Sequence, residues 1–206
     1  MEFFDYPLMT EDTFLRESRK NPYTKGEFGK KIFRYFDSHV ADPLNDHLRQ
    51  EVPLETVEQD LFQLLHEACE QRELPENVTV FRLLRFRYLE GYELTEGETL
   101  YRQYEKIKKK TGARIVEKAF SSTSIRLDRN PLIFTKERPY LLILQVKKGT
   151  KAFVSGNREE GEILFDAGME YTVKEVNDHI TSPLQVPVLP EGTGWFHGIV
   201  IRGRVE

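Results

Sequence analysis

The sequence predicts an α+β fold: a helical N-terminal segment, residues 1–75, followed by a β-rich core, residues 76–206, within one structural domain. Two observations carry this. In the first part, apolar residues recur at three- and four-residue spacings. In the second, they alternate or run together in short stretches between Gly, Asn, Asp and Pro. With 206 residues the chain is long enough to bury a sizeable core unaided.

The elements follow in order. TKGEFGKKIFRYFDSHV places Phe28, Ile32, Phe33 and Phe36 on one helical stripe. LETVEQDLFQLLHEACEQ does the same with Val57, Leu61, Leu64, Leu65 and Ala68, and Leu74-Pro75-Glu76-Asn77 closes that stretch. VTVFRLLRFRYL is β-branched, aromatic and alternating, which predicts a strand with Arg82 on one face and Arg85 and Arg87 on the other. TLYRQYEKIKKKTG reads as a short helix or a lid-like loop whose basic end is a solvated face. RIVEKAFSSTSI reads as a strand and a polar turn, and PYLLILQVKKG as a central apolar strand stopped by Gly149. AFVSGN, EILF, EYTVKEV and WFHGIVIRGRV complete a mostly antiparallel set.

Composition excludes several classes. The net charge of −4 argues against a dedicated nucleic-acid or membrane-surface binder. No apolar run is long enough to cross a bilayer, and MEFFDYPLMTED lacks the order of a secretory signal, so synthesis in a cytoplasm is expected. The single cysteine, Cys69, excludes an internal disulfide and reads as a packing residue. The histidines lack metal-ligand spacing, and neither a dinucleotide glycine fingerprint nor a P-loop is present, so no metal is expected.

Three pieces remain. In EEGEILF, Glu160 and Glu162 flank Gly161. If extended, both carboxylates point the same way, roughly 7 Å apart, where they raise a pKa or hold a cation. In Phe120-Ser121-Ser122-Thr123-Ser124, consecutive hydroxyls can tie backbone and a carboxylate into one network. Arg82, inside an apolar strand, offers a fork suited to phosphate or carboxylate. Taken singly, each also fits a plain structural role: a solvated loop end, a Ser/Thr turn, a strand arginine reaching solvent.

Taken in order, a strand arginine, then F-x-S-T-S, then E-x-E before an apolar strand, the chain resembles the mono-ADP-ribosyltransferase toxin and effector family in its arginine–serine–glutamate branch. LPENVTVFR and EGEILFDAGMEYTV extend the resemblance over about residues 60–206. It implies an ADP-ribosyltransferase-like fold with two antiparallel sheets forming an NAD cleft. It also implies NAD as co-substrate, held by Arg82, Ser122, Thr123, Ser124 and Glu162, with Glu162, Glu160 and Ser122 as the catalytic group. Arg82 would meet the phosphates, Ser122 would position NAD and Glu162, and Thr123 and Ser124 would brace the cleft. Glu160 would go with arginine as the acceptor on a target protein.

The implied setting is a toxin or effector without a classical signal peptide, secreted by a dedicated system and active in a target-cell cytoplasm, with room for an immunity or chaperone partner. The same cleft would serve an NAD glycohydrolase, or a non-catalytic partner-binding module. The loop SGNRE departs from the family in having no aromatic; Phe153 is the nearest one, and Arg158 would repel a cationic acceptor.

Overall fold

The computed structural model describes residues 6–35, 38–127, 138–188 and 192–205. The chain begins with helices α1 (Glu11–Lys20), α2 (Gly26–Tyr35), α3 (Ser38–Gln50) and α4 (Thr56–Glu70). It continues through β1 (Val78–Leu84), α5 (Leu100–Lys108), β2 (Arg114–Glu117), β3 (Ser121–Ser124), β4 (Tyr140–Val146), β5 (Phe153–Val154), β6 (Glu162–Phe165), β7 (Met169–Val188) and β8 (Gly192–Val205). Local signals start the helices. Thr10 caps α1 by accepting Thr13 N–H at 3.2 Å, with Glu11 and Asp12 in the first turn and Arg19 and Lys20 in the last, as the helix dipole favours. Glu58 reaches back to Glu55 N–H at 2.9 Å at the start of α4.

The predicted stripe on α2 is corrected. Ile32 and Tyr35, three residues apart, are buried, whereas Phe33 is 70% exposed and Phe28 is also exposed. One residue turns a helix by about 100°, so Phe33 cannot share the face of Ile32. Phe36 lies outside the described residues. On α4 the stripe holds at Leu65 and Ala68, joined by buried Cys69, while Val57 in the first turn projects into solvent. Of the two readings of TLYRQYEKIKKKTG the helix holds: it is α5, started by Thr99 accepting Arg102 N–H at 3.4 Å.

The strands are hydrogen-bonded in the order β2-β7-β8-β4-β1-β3-β6-β5. The expectation of two antiparallel sheets is thereby corrected in two respects: the ladder is continuous, and β4 and β8 run parallel from Tyr140↔Ile199 to Val146↔Val205. The expected division still has a physical counterpart. β1 pairs with β4 along its whole length but with β3 only at Phe81↔Ser124. A five-stranded body and a three-stranded wing therefore meet at a single residue pair. That joint places Arg82 on the body next to the serine-rich strand of the wing.

β1 also ends sooner than its pattern suggests. After Leu84 the chain folds into a 3-10 turn, with Tyr88 N–H donating to Arg85 O and Leu89 N–H to Phe86 O, both at 3.0 Å. Arg85 and Arg87 are thus off the strand, and Arg87 pairs with Asp42 (2.7 Å) and Asp46 (3.1 Å) of α3.

The core lies on both faces of the sheet. One cluster takes Val80, Leu84, Leu142, Leu144, Val173, Ile199 and Ile201 together with Ile107 of α5. The opposite face carries Phe81, Leu83, Leu141, Ile143, Phe196 and Val200. A third cluster joins the helices to the wing through Ile32, Tyr35, Leu44, Leu65, Phe120, Phe153 and Leu164. At its centre Asn45 donates to Tyr35 Oη at 2.8 Å and accepts Phe120 N–H at 3.1 Å, which fixes the backbone immediately before β3.

Replacing Asn45 strands that buried N–H. Asn45→Ala is expected to lower unfolding free energy by about 2–3 kcal/mol, read as an earlier urea midpoint with unchanged slope. A midpoint equal to wild type would refute the clamp.

Candidate active site

β6 lies between β3 and β5, with Ser124↔Glu162 and Ser121↔Phe165 on one side and Phe153↔Leu164 on the other. Glu162, the first residue of β6, is 2% exposed. Ser122 Oγ donates to its Oε1, while Oε2 has no hydrogen-bond partner among the described residues. Burial pushes its pKa up to about 8; the Ser122 hydrogen bond opposes this, and the charge of Glu160 adds to it. Burying a carboxylate with one satisfied oxygen is costly, and the second oxygen keeps an unused capacity to accept a hydrogen bond.

Glu160 occupies a different environment. It is exposed, on the turn that precedes β6 rather than on an extended segment, so the side-by-side geometry expected of the pair is corrected. Gly161 is the reason: its φ of 59° is left-handed, and a Cβ there would lie 2.6 Å from Ile125 Cγ1. The turn is pinned from both sides. Gly161 N–H donates to Asn157 O at 2.8 Å, Ile125 N–H donates to Gly161 O at 2.9 Å, and Ser124 Oγ donates to Glu160 O. Phe153 is buried in the core and so is not the aromatic of this loop, whereas Arg158 is exposed.

The hydroxyl run divides its labour by strand alternation. Ser122 serves Glu162 and Ser124 holds the Glu160 turn. Thr123 donates to Ile163 O at 2.8 Å, locking β3 to β6. Ser121, fully buried and given no role in the sequence reading, accepts Arg82 Nη1–H at 2.6 Å.

Arg82 belongs to a second group of charges. Its Nη1 also lies 3.2 Å from Glu117 Oε2. Arg49, at the end of α3 and 4% exposed, donates Nε–H to Glu117 Oε1 at 3.1 Å. Both guanidiniums approach the Tyr88 ring, with Cζ at 4.4 Å for Arg49 and 5.6 Å for Arg82. Arg49 Nη1 and Nη2 are buried without a hydrogen bond among the described residues. Arg138 completes the group; burial, then the charge of Arg85, lowers its pKa. The two groups share an electrostatic neighbour. Burial pushes the Tyr35 hydroxyl up; its hydrogen bond with Asn45 opposes this, and Arg82, Glu162 and Arg49 all act on it.

The structure therefore brings Arg82, Ser122, Ser124, Glu160 and Glu162 around the body–wing joint. It adds Arg49, Tyr88, Glu117 and Ser121. Of these only Ser121 was within reach, since period-2 alternation in SSTS separates it from Ser122. Chemically, the site offers a buried carboxylate with one free oxygen, an exposed carboxylate beyond a glycine, and guanidinium edges suited to phosphate.

The raised pKa of Glu162 has a consequence for stability. Its folded value exceeds the ordinary 4.5, so the stability held by the neutral form is full below about pH 4.5 and is lost as pH rises through about 8. Glu162→Gln removes this titration. The melting temperature of the variant minus that of wild type should therefore grow between pH 5 and pH 8.5; a pH-independent difference would exclude a buried neutral acid.

The model of the ADP-ribosyltransferase exoenzyme family matches residues 20–186. No curated protein matches. Among solved structures the chain is similar to Plx2a, an ADP-ribosyltransferase toxin from Paenibacillus larvae, with 22% identity over 93% of this chain and 92% of that one and a TM-score of 0.71. It is similar to the C3 exoenzyme of Clostridium limosum at 17% identity, 98% coverage of both chains and a TM-score of 0.68. It is also similar to C3stau2 from S. aureus, solved with NAD, at 20% identity, 97% coverage of both and a TM-score of 0.69.

Proposed function

Because the chain belongs to the ADP-ribosyltransferase exoenzyme family, whose members are NAD-dependent mono-ADP-ribosyltransferases, we propose that it cleaves NAD at the nicotinamide–ribose bond and passes ADP-ribose to an arginine of a target protein. The observation that carries this reading is Glu162: a buried carboxylate, oriented by Ser122, with one oxygen free.

Nicotinamide is cationic while attached and leaves as a neutral molecule, so the leaving group needs no proton. The demand falls on the ribose, where positive charge develops at C1′. In its ionised form Glu162, held in place by Ser122, supplies negative charge there without reorganising. Arg82 and Arg49 offer guanidinium edges to the diphosphate. The acceptor guanidinium has a pKa above about 12 and is a poor nucleophile while protonated. Glu160, exposed at the mouth, binds it, orients it and takes its proton as the Nη–C1′ bond forms and the C1′–nicotinamide bond breaks.

A cationic ribosyl group favours the ionised form of Glu162, so kcat/KM for NAD rises with pH towards a plateau above about 8. The protein is proposed to act as a toxin in the cytoplasm of a target cell. Arg158, exposed two residues before Glu160, favours one competing reading, an NAD glycohydrolase with water as the acceptor.

The test is incubation of the purified protein with biotinylated NAD and target-cell lysate, following labelled bands and released nicotinamide together. Glu162→Gln should lower both signals at least about 100-fold. Glu160→Ala should lose transfer to a similar extent while keeping nicotinamide release within about tenfold. Transfer that survives Glu160→Ala would refute that residue's role. Nicotinamide release without any labelled protein would replace the transferase reading with the glycohydrolase.

A further inference from the structure

Glu117 closes β2, where its main-chain carbonyl accepts Gly168 N–H at 2.8 Å. Its side chain touches neither Glu162 nor Glu160 among the described residues. Instead it lies between two guanidiniums: Oε1 meets Arg49 Nε at 3.1 Å and Oε2 meets Arg82 Nη1 at 3.2 Å. Ala119 N–H donates to Oε1 at 3.2 Å and so fixes the carboxylate itself. Side-chain exposure is 4% for Arg49 and 11% for both Arg82 and Glu117, so these contacts are shielded from water.

The atoms that Glu117 uses matter more than the fact that it is an anion. A guanidinium carries five N–H groups in a planar fork. Glu117 takes only the Nε edge of Arg49; Nη1 lies 3.7 Å from Asp46 Oδ1 as an ion pair, and Nη1 and Nη2 are buried and without hydrogen bonds among the described residues. On Arg82 it shares Nη1 with Ser121, and Nε and Nη2 make no hydrogen bond among the described residues. The Tyr88 ring lies beside both guanidiniums. A carboxylate competing for a phosphate site would occupy the outer forks. This one meets one edge of each arginine and leaves N–H groups of both without hydrogen bonds among the described residues.

We infer that Glu117 is a positioning residue for the diphosphate of NAD: it holds Arg49 and Arg82 in the splayed arrangement that a diphosphate bridges, without contacting the ligand. The inference rests on the NAD-cleaving function proposed above. The carboxylate also offsets the repulsion of two cations brought close in a poorly solvated place. The arginine fork is therefore built before the ligand arrives, and binding does not have to supply the ordering of two long side chains.

The test separates KM from kcat. Nicotinamide release is followed over a range of NAD concentrations for wild type, Glu117→Gln and Glu117→Asp, with melting temperatures for all three. The glutamine keeps the size but presents N–H groups to the arginines. The aspartate keeps the charge but is one methylene too short to reach both. Both variants should raise KM for NAD at least about tenfold and leave kcat within about threefold, because Glu162 and Ser122 are untouched. An unchanged KM overturns the inference. A lowered KM also overturns it, showing a competing anion. A kcat that falls in step with kcat/KM, or loss of fold in both variants, shows a purely structural carboxylate and overturns it as well. Wild type that releases no nicotinamide sinks the functional reading itself, a separate outcome from wild-type activity with indifferent variants.

Discussion

The arrangement depends on one hydrogen bond across the β3–β6 pair, from Ser122 to the buried carboxylate of Glu162. A carboxylate taken out of water needs partners, and here the nearest is on the neighbouring strand. Much of the wing serves to keep that partner in register. Thr123 bonds Ile163 O, Asn45 bonds Phe120 N–H, and the helices seal the wing with Tyr35, Leu65, Phe120, Phe153 and Leu164. If β3 slipped by one residue, Ser122 would leave the place it holds beside Glu162 and Ser121 the place it holds beside Arg82. Both halves of the site therefore depend on the same register.

That double dependence explains why the site sits at the single-pair joint between body and wing. A continuous flat ladder would have buried Arg82 among apolar neighbours. Because β3 leaves β1 after Phe81↔Ser124, room opens beside Arg82 for Glu117, Tyr88 and the end of α3. The arginines are brought by the body and the helices, the carboxylates by the wing. Tyr35, under the electrostatic influence of Arg82, Arg49 and Glu162, lies where the contributions meet.

What was legible in the sequence follows from how locally each feature is encoded. β4 is nearly all apolar, and its central place could be read from PYLLILQV because a strand covered on both faces needs no alternation. Arg82, Ser122 and Glu162 could be found because each stands against a regular strand pattern. The parallel pairing of β4 with β8 could not, since pairing partners are set by the whole topology. The exposed face of α2 is not legible in its sequence because aromatic residues outnumber the positions the core covers. Arg49 and Glu117 are 68 residues apart in the chain and meet only once α3 and β2 are in place, so no window of sequence holds the pair.

The two acidic residues that flank Gly161 show how little backbone is needed to create two chemical environments. A strand running from Glu160 to Glu162 would give both carboxylates similar surroundings and set them against each other. The left-handed turn at Gly161 instead ends the loop, so Glu160 stays in water while Glu162 enters the sheet, where burial raises its pKa to about 8. Environments that separate two acids also separate what they can do. The buried one, once ionised, holds its charge in a fixed place, suited to a cation that exists only as the bond breaks. The solvated one meets a cation arriving from outside, whose hydration must be shed gradually. Any side chain at residue 161 would require both the unfavourable φ and an overlap with Ile125, so the division of labour between the two carboxylates rests on the absence of a single Cβ.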